Sequence, residues 1–141
     1  MNDRPTAAEL IAAARQHLEA ELIPTLTDAR LRFQTLVAVN VLAIVERELG
    51  LEEEHLLQEW QWLADLLDLQ GPAPQRLAAL RQAVRQANEA LCRQIRQGRF
   101  DERSRLLALS RQLRPIVERK LEIANPRYLA NFYREDPRAE P

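Results

Sequence analysis

Residues 36–45, LVAVNVLAIV, hold nine apolar side chains and one amide, Asn40. On a helical wheel Asn40 lies between Leu36 and Ile44, and Arg32 and Arg47 fall on the same broad side. Two guanidiniums and an amide are hydrogen-bond donors, and converging in a cleft they would line a pocket for a small anion or carboxylate. A buried amide left unpaired costs about 1–3 kcal/mol, so Asn40 needs partners. One answer is a ligand in such a pocket. The other is a neighbouring helix, with the amide fixing register as a single polar residue does in coiled coils. The second is the expectation, with Asn40 buried and its bonds made to protein.

Metal and nucleophile chemistry find less material. Glu52-Glu53-Glu54-His55 contains Glu-x-x-His, the spacing of helical di-iron bundles, but those sites need the motif twice with two further inward carboxylates. His17 has Glu21 four residues on and no second ligand set. No metal site is expected. Cys92, the one cysteine, sits beside Leu91 in a helical pattern and reads as a small hydrophobe. Ser104 and Ser110 have no histidine nearby, and three glycines build neither a nucleophile elbow nor a phosphate loop. The expectation is a non-enzymatic protein without a cofactor.

Nucleic acid is the next question, because residues 76–120 carry twelve basic and four acidic side chains. The arginines scatter without interleaved aromatics to stack bases, and no helix-turn-helix pattern stands out. Residues 1–70 hold 13 acids and 5 bases. Basic helices are therefore expected to face acidic ones, within one bundle or across a dimer.

The elements that must position these groups are helices. Helix formers dominate, and the β-branched and aromatic residues that strands favour are thin. Thr6-Ala7-Ala8-Glu9 fits a capping box and opens a helix over 7–22, stopped by Pro24. A second helix runs from Thr27 or Asp28 to Gly50, placed as a left-handed stop. Its middle is apolar all round, which marks it as the central element, wrapped by the others.

A third helix, opening on Glu52-Glu53-Glu54, runs to about Leu69, before the loop Gly71-Pro72-Ala73-Pro74. It carries two apolar stripes: Leu56, Trp60, Leu63 and Leu67, then Trp62, Leu66 and Leu69. The fourth helix, about 74–97, buries Leu77, Leu80, Val84, Ala87, Leu91 and Ile95 and stops at Gly98. A fifth, capped by Asp101, presents Leu106, Leu109, Leu113, Ile116, Val117 and Leu121, is kinked by Pro115 and ends at Asn125-Pro126. The aromatic stretch after it adds one short turn, with Asn125 as cap and Pro126 in the first helical position.

These readings add up to an all-α protein: an up-and-down bundle of about five helices with a short C-terminal aromatic segment. Residues 1–134 are expected to form one domain and 135–141 a disordered tail. The ten-residue apolar run at 36–45 is well short of the ~20 residues that span a bilayer, so no membrane role is expected. With no charged, apolar leader at the start and one cysteine, the expected location is the cytoplasm.

The second stripe, Trp62, Leu66 and Leu69, exceeds what one core face requires. Apolar excess with a tryptophan marks interfaces, so these residues are the candidate surface for a homodimer or another partner.

Three segments together resemble an uncharacterised bacterial family, a domain of unknown function. They are Asp3-Arg4-Pro5-Thr6-Ala7-Ala8-Glu9-Leu10; Leu31-Arg32-Phe33 through Asn40 to Ile44-Val45-Glu46-Arg47-Glu48; and Lys120-Leu121 with Ala124-Asn125-Pro126-Arg127-Tyr128. Genes of that family often lie beside those for a phosphotransferase of the aminoglycoside/choline-kinase type and an acyl-CoA dehydrogenase. The resemblance thus implies an accessory role with either enzyme as partner, and brings no catalytic residue. Antiparallel packing of the fifth helix on the second would bring Asn125, Arg127 and Tyr128 near Arg30 and Arg32, where Glu122 or the Asn125 carbonyl would meet an arginine. The leading expectation is a self-associating interaction or accessory subunit. The alternative is a small-molecule or CoA-ester anion binder using Arg32, Asn40 and Arg47 with Asn125, Arg127 and Tyr128.

Overall fold

The computed structural model describes residues 4–135, and they are all-α. The helices are α1 (Ala7–His17), α2 (Ala29–Leu67), α3 (Leu77–Arg96), α4 (Arg103–Ala124) and α5 (Pro126–Glu135). A π-helical turn, Leu18–Leu22, and a 3-10 turn, Ile23–Thr25, prolong α1. The chain divides into two compact units, residues 1–52 and 53–141. Apart from Glu135, the tail expected to be disordered lies outside the described residues.

Local signals act as chemistry requires. Thr6 and Glu9 form the capping box: the Thr6 amide donates to Glu9 Oε2 at 2.7 Å, and the Glu9 amide to Thr6 Oγ1 at 3.2 Å. Gly98, at φ +80°, ends α3 while the Arg99 amide reaches back to the Gln94 carbonyl. Asn125 caps α5, its Oδ1 accepting the Tyr128 amide at 3.1 Å, so the expected single turn becomes a ten-residue helix. The cap of α4 is Glu102 rather than Asp101: its carboxylate accepts the Ser104 amide at 3.0 Å and the Ser104 hydroxyl.

Gly50 does not stop a helix. It keeps helical geometry, and the two helices expected at 27–50 and 52–69 are one element of 39 residues. Glycine permits a left-handed stop but does not impose it, and the glutamates after it are good helix formers. The actual stop is Asp68, in the left-handed region at φ +55°, with the Leu69 amide bonded to the Ala64 carbonyl.

In the first unit a loop over 26–28 turns the chain back, so that Arg15 of α1 meets Glu46 of α2 with Nε 2.8 Å from Oε2. Among the described residues of this unit the buried apolar side chains are Ile23 and Val39. The second unit holds the larger core: Leu63 of α2, Leu80, Val84, Ala87 and Leu91 of α3, Phe100 of the connecting turn and Leu109 of α4. Burying a leucine contributes about 1.5–3 kcal/mol, and Leu63 and Leu80 are essentially inaccessible to solvent. Trp62, Leu66 and Leu69 pack against this core half-buried, as do Leu56, Trp60 and Leu67 of the first stripe, whose Leu63 is part of the core itself.

Candidate interaction surfaces

The amino half of α2 is the clearest departure from expectation. Asn40 is exposed, as are Phe33, Leu36, Val37 and Val41 around it, Phe33 by 67%. The central, wrapped position expected for this segment is not what it has. The reason follows from Gly50: one long helix replaces two, and within its own unit residues 29–52 have only α1 and the turns after it as companions. An all-round apolar helix shows that cover is wanted, and cannot show that its own chain supplies it.

Arg32 is also exposed. Arg47 is half-buried and lines a cavity of about 490 Å³ with Arg15, Ala43, Glu46, Gly50 and Leu51. Neither Arg32 nor Asn40 lines it. Two of the cavity's charges match each other, Arg15 bonding Glu46 at 2.8 Å, and Arg15 also bonds Glu19 at 3.1 Å. The hydrogen bond to Glu46 raises the Arg15 pKa and outweighs the opposing desolvation.

The second unit contains a polar seam that the sequence reading missed. Glu59 is 5% exposed, and its Oε1 accepts from Asn88 Nδ2 at 2.7 Å and from Lys120 Nζ at 3.0 Å. One turn earlier His55 sets Nε2 3.6 Å from Glu122, while its Nδ1 is buried without a hydrogen-bond partner. The signal was present: Glu59 falls on the wheel between the two apolar stripes, and Lys120 is the chain's one lysine. Glu122, expected opposite an arginine, faces His55 instead. The Asn125 carbonyl accepts the Tyr128 and Leu129 amides of α5. Among the described residues no three His, Cys, Asp or Glu side chains are placed to hold a metal ion.

Between α4 and α5 lies an open groove of about 820 Å³. Its apolar lining includes Leu106, Leu113, Val117, Tyr128, Leu129 and Phe132, with Arg111, Arg114 and Glu118 among the polar groups. Leu106 and Val117, expected in the core face of their helix, are half-exposed here because α5 covers only part of α4. Tyr128 thus contributes to a concave surface, Asn125 serves as the α5 cap, and Arg127 is exposed.

Arg114, Glu118 and Tyr133 tie α5 to α4. Arg114 Nε lies 2.7 Å from Glu118 Oε1, and its guanidinium sits 5.9 Å from the Tyr133 ring centre. Burial pushes the Glu118 carboxyl up, but hydrogen bonds from Tyr133 and Arg114 outweigh it and hold the group below its ordinary value. The bond to Glu118 is the main reason that the Tyr133 phenol is raised.

No helix among the described residues is long and apolar enough to cross a membrane. Comparison with curated proteins and with solved structures finds no match. A family model does match, over residues 24–128, which takes in the α2 face, the polar seam and most of the α4–α5 groove. The chain belongs to this family, described as Domain of unknown function (DUF6285).

Proposed function

We propose that this chain is a non-enzymatic, cytoplasmic accessory protein that binds a partner protein through the α4–α5 groove. The observation that carries the reading is the groove itself: a concave, mostly apolar strip along two helices, with Leu106, Val117, Tyr128 and Phe132 open to solvent. Such a strip suits the apolar side of an amphipathic helix laid into it. Charge selects the occupant. Residues 76–120 carry twelve bases against four acids, and Arg111 lines the groove beside the internally paired Arg114 and Glu118, so the partner helix carries carboxylates along its flanks. The phosphotransferase and the acyl-CoA dehydrogenase implied by the family resemblance are the partners to try first.

The test is co-expression of the tagged chain with each of these two proteins, beside a Val117→Glu/Phe132→Glu variant. Co-purification of one of them with the parent chain and its loss from the folded variant supports the reading. Failure of both to co-purify, or retention by the variant, overturns it.

A second reading, an anionic ligand with an apolar tail such as a CoA ester, is favoured by the groove's volume, which falls in the range of small-molecule sites. A ligand at 100 times its dissociation constant adds about 2.7 kcal/mol of stability. A melting temperature unmoved by CoA esters and phosphorylated metabolites rejects it.

A further inference from the structure

The exposed face of α2 has the form of one half of a helix pair. Phe33, Val37, Asn40 and Ile44 follow one another at steps of four, three and four residues, the spacing by which paired helices interlock. Leu36 and Val41 widen the strip on either side. Phe33, Leu36, Val37 and Val41 are each between 47% and 67% exposed, while Val39, on the side toward α1, is buried. A helix displaying such a strip with a lone amide in it calls for one particular kind of neighbour, since burying Asn40 against apolar atoms would cost about 1–3 kcal/mol.

Charge identifies that neighbour. Arg30 and Glu48 are exposed, and neither side chain has an ion-pair partner among the described residues. They are eighteen residues apart, five full turns at 3.6 residues each, so they stand on the same edge of the apolar strip at its two ends. A second copy laid antiparallel brings Arg30 of each chain opposite Glu48 of the other, twice by symmetry. The axis of that arrangement passes beside residue 39, which sets the two Asn40 side chains one residue step from it. Two amides meeting there satisfy each other, the carbonyl of each accepting from the NH₂ of its mate. Parallel pairing would put both arginines at one end and both glutamates at the other, so neither would meet an opposite charge.

We propose that two copies of this chain associate antiparallel along the Phe33–Ile44 face of α2, with paired Asn40 amides near the dyad and Arg30–Glu48 ion pairs at both ends. Every residue of this interface belongs to the first unit, and none of them lines the α4–α5 groove.

Light scattering after gel filtration, across a concentration series, reads the outcome. The parent chain is a dimer, Val37→Glu is a monomer, and Arg30→Glu or Glu48→Arg alone weakens association about tenfold. The double variant Arg30→Glu/Glu48→Arg restores it, because the reversed pairs match again only in antiparallel order. Circular dichroism confirms that the variants keep parental helix content, which changes at exposed positions should not disturb. A parent chain monomeric throughout that series, a dimer indifferent to Val37→Glu, or a double variant no better than the single ones overturns the proposal.

Discussion

Lys120 places its Nζ 3.0 Å from Oε1 of Glu59, a carboxylate that α2 carries into the interior of the second unit. Asn88 of α3 supplies the other donor to the same oxygen, so three helices meet at one charge. A buried carboxylate is tolerated only when it is paired and hydrogen-bonded. Removing the ammonium leaves Asn88 as its remaining partner. Lys120→Met should therefore cost about 1–3 kcal/mol, read as a lower urea midpoint with unchanged slope. The combined Glu59→Leu/Lys120→Met protein should recover part of that loss, because no orphaned charge remains. An unshifted midpoint for Lys120→Met would show the pair to be idle.

Gly50 and Gly98 should respond to alanine in opposite directions. Gly50 lies inside α2, where an added methyl meets nothing within 4 Å. Gly50→Ala should stabilise the protein by about 0.5–1 kcal/mol through helix propensity and a smaller unfolded-state entropy. Gly98 holds φ +80°, and a Cβ there would stand 2.9 Å from Asp101 Oδ2. Gly98→Ala should destabilise by about 1–2 kcal/mol. Thermal melts of the two variants decide the matter, and a destabilised Gly50→Ala would restore Gly50 as a helix stop.

Asn125 ends α4 and starts α5, and its side chain accepts the Tyr128 amide. Replacement by alanine should cost about 1 kcal/mol, whereas Asn125→Asp should cost little, since either side chain offers the capping oxygen. Amide hydrogen exchange provides the local readout: protection should fall first across the opening turn of α5. Equal losses in both variants would assign Asn125 a role other than capping.

The α4–α5 tie should depend on pH at both ends of the scale. Glu118 is held below its ordinary 4.5, so its contribution is complete above that value and is lost as pH falls through the lower native one. Tyr133 is raised above 10.0, so its contribution is complete below that value and is lost as pH climbs through the higher native one. Tyr133→Phe should be less stable than the parent between these limits, with the gap closing on acidification below 4.5. A gap that stays constant down to strong acid would separate Tyr133 from the Glu118 carboxylate.

Sequence alone determined whatever depends on neighbours a few residues apart. The Thr6–Glu9 capping box, the Gly98 stop, the Asn125-Pro126 junction and the Leu80–Val84–Ala87–Leu91 stripe rest on contacts within one or two helical turns. Side-chain spacing and backbone geometry set those without help. The all-α class follows from the same local chemistry summed along the chain.

Tertiary structure decided the rest. Gly50 can stop a helix or continue one, and the choice for continuation removed the companions that the Asn40 segment was expected to have. Glu59 and Lys120 are sixty-one residues apart, and nothing local to either announces the other. The groove exists because α5 folds back over part of α4 and leaves Leu106 and Val117 half uncovered. Apolar periodicity records which faces want burial. Which surface meets them, in the same chain or in another, is settled by long-range packing that no short stretch of residues encodes.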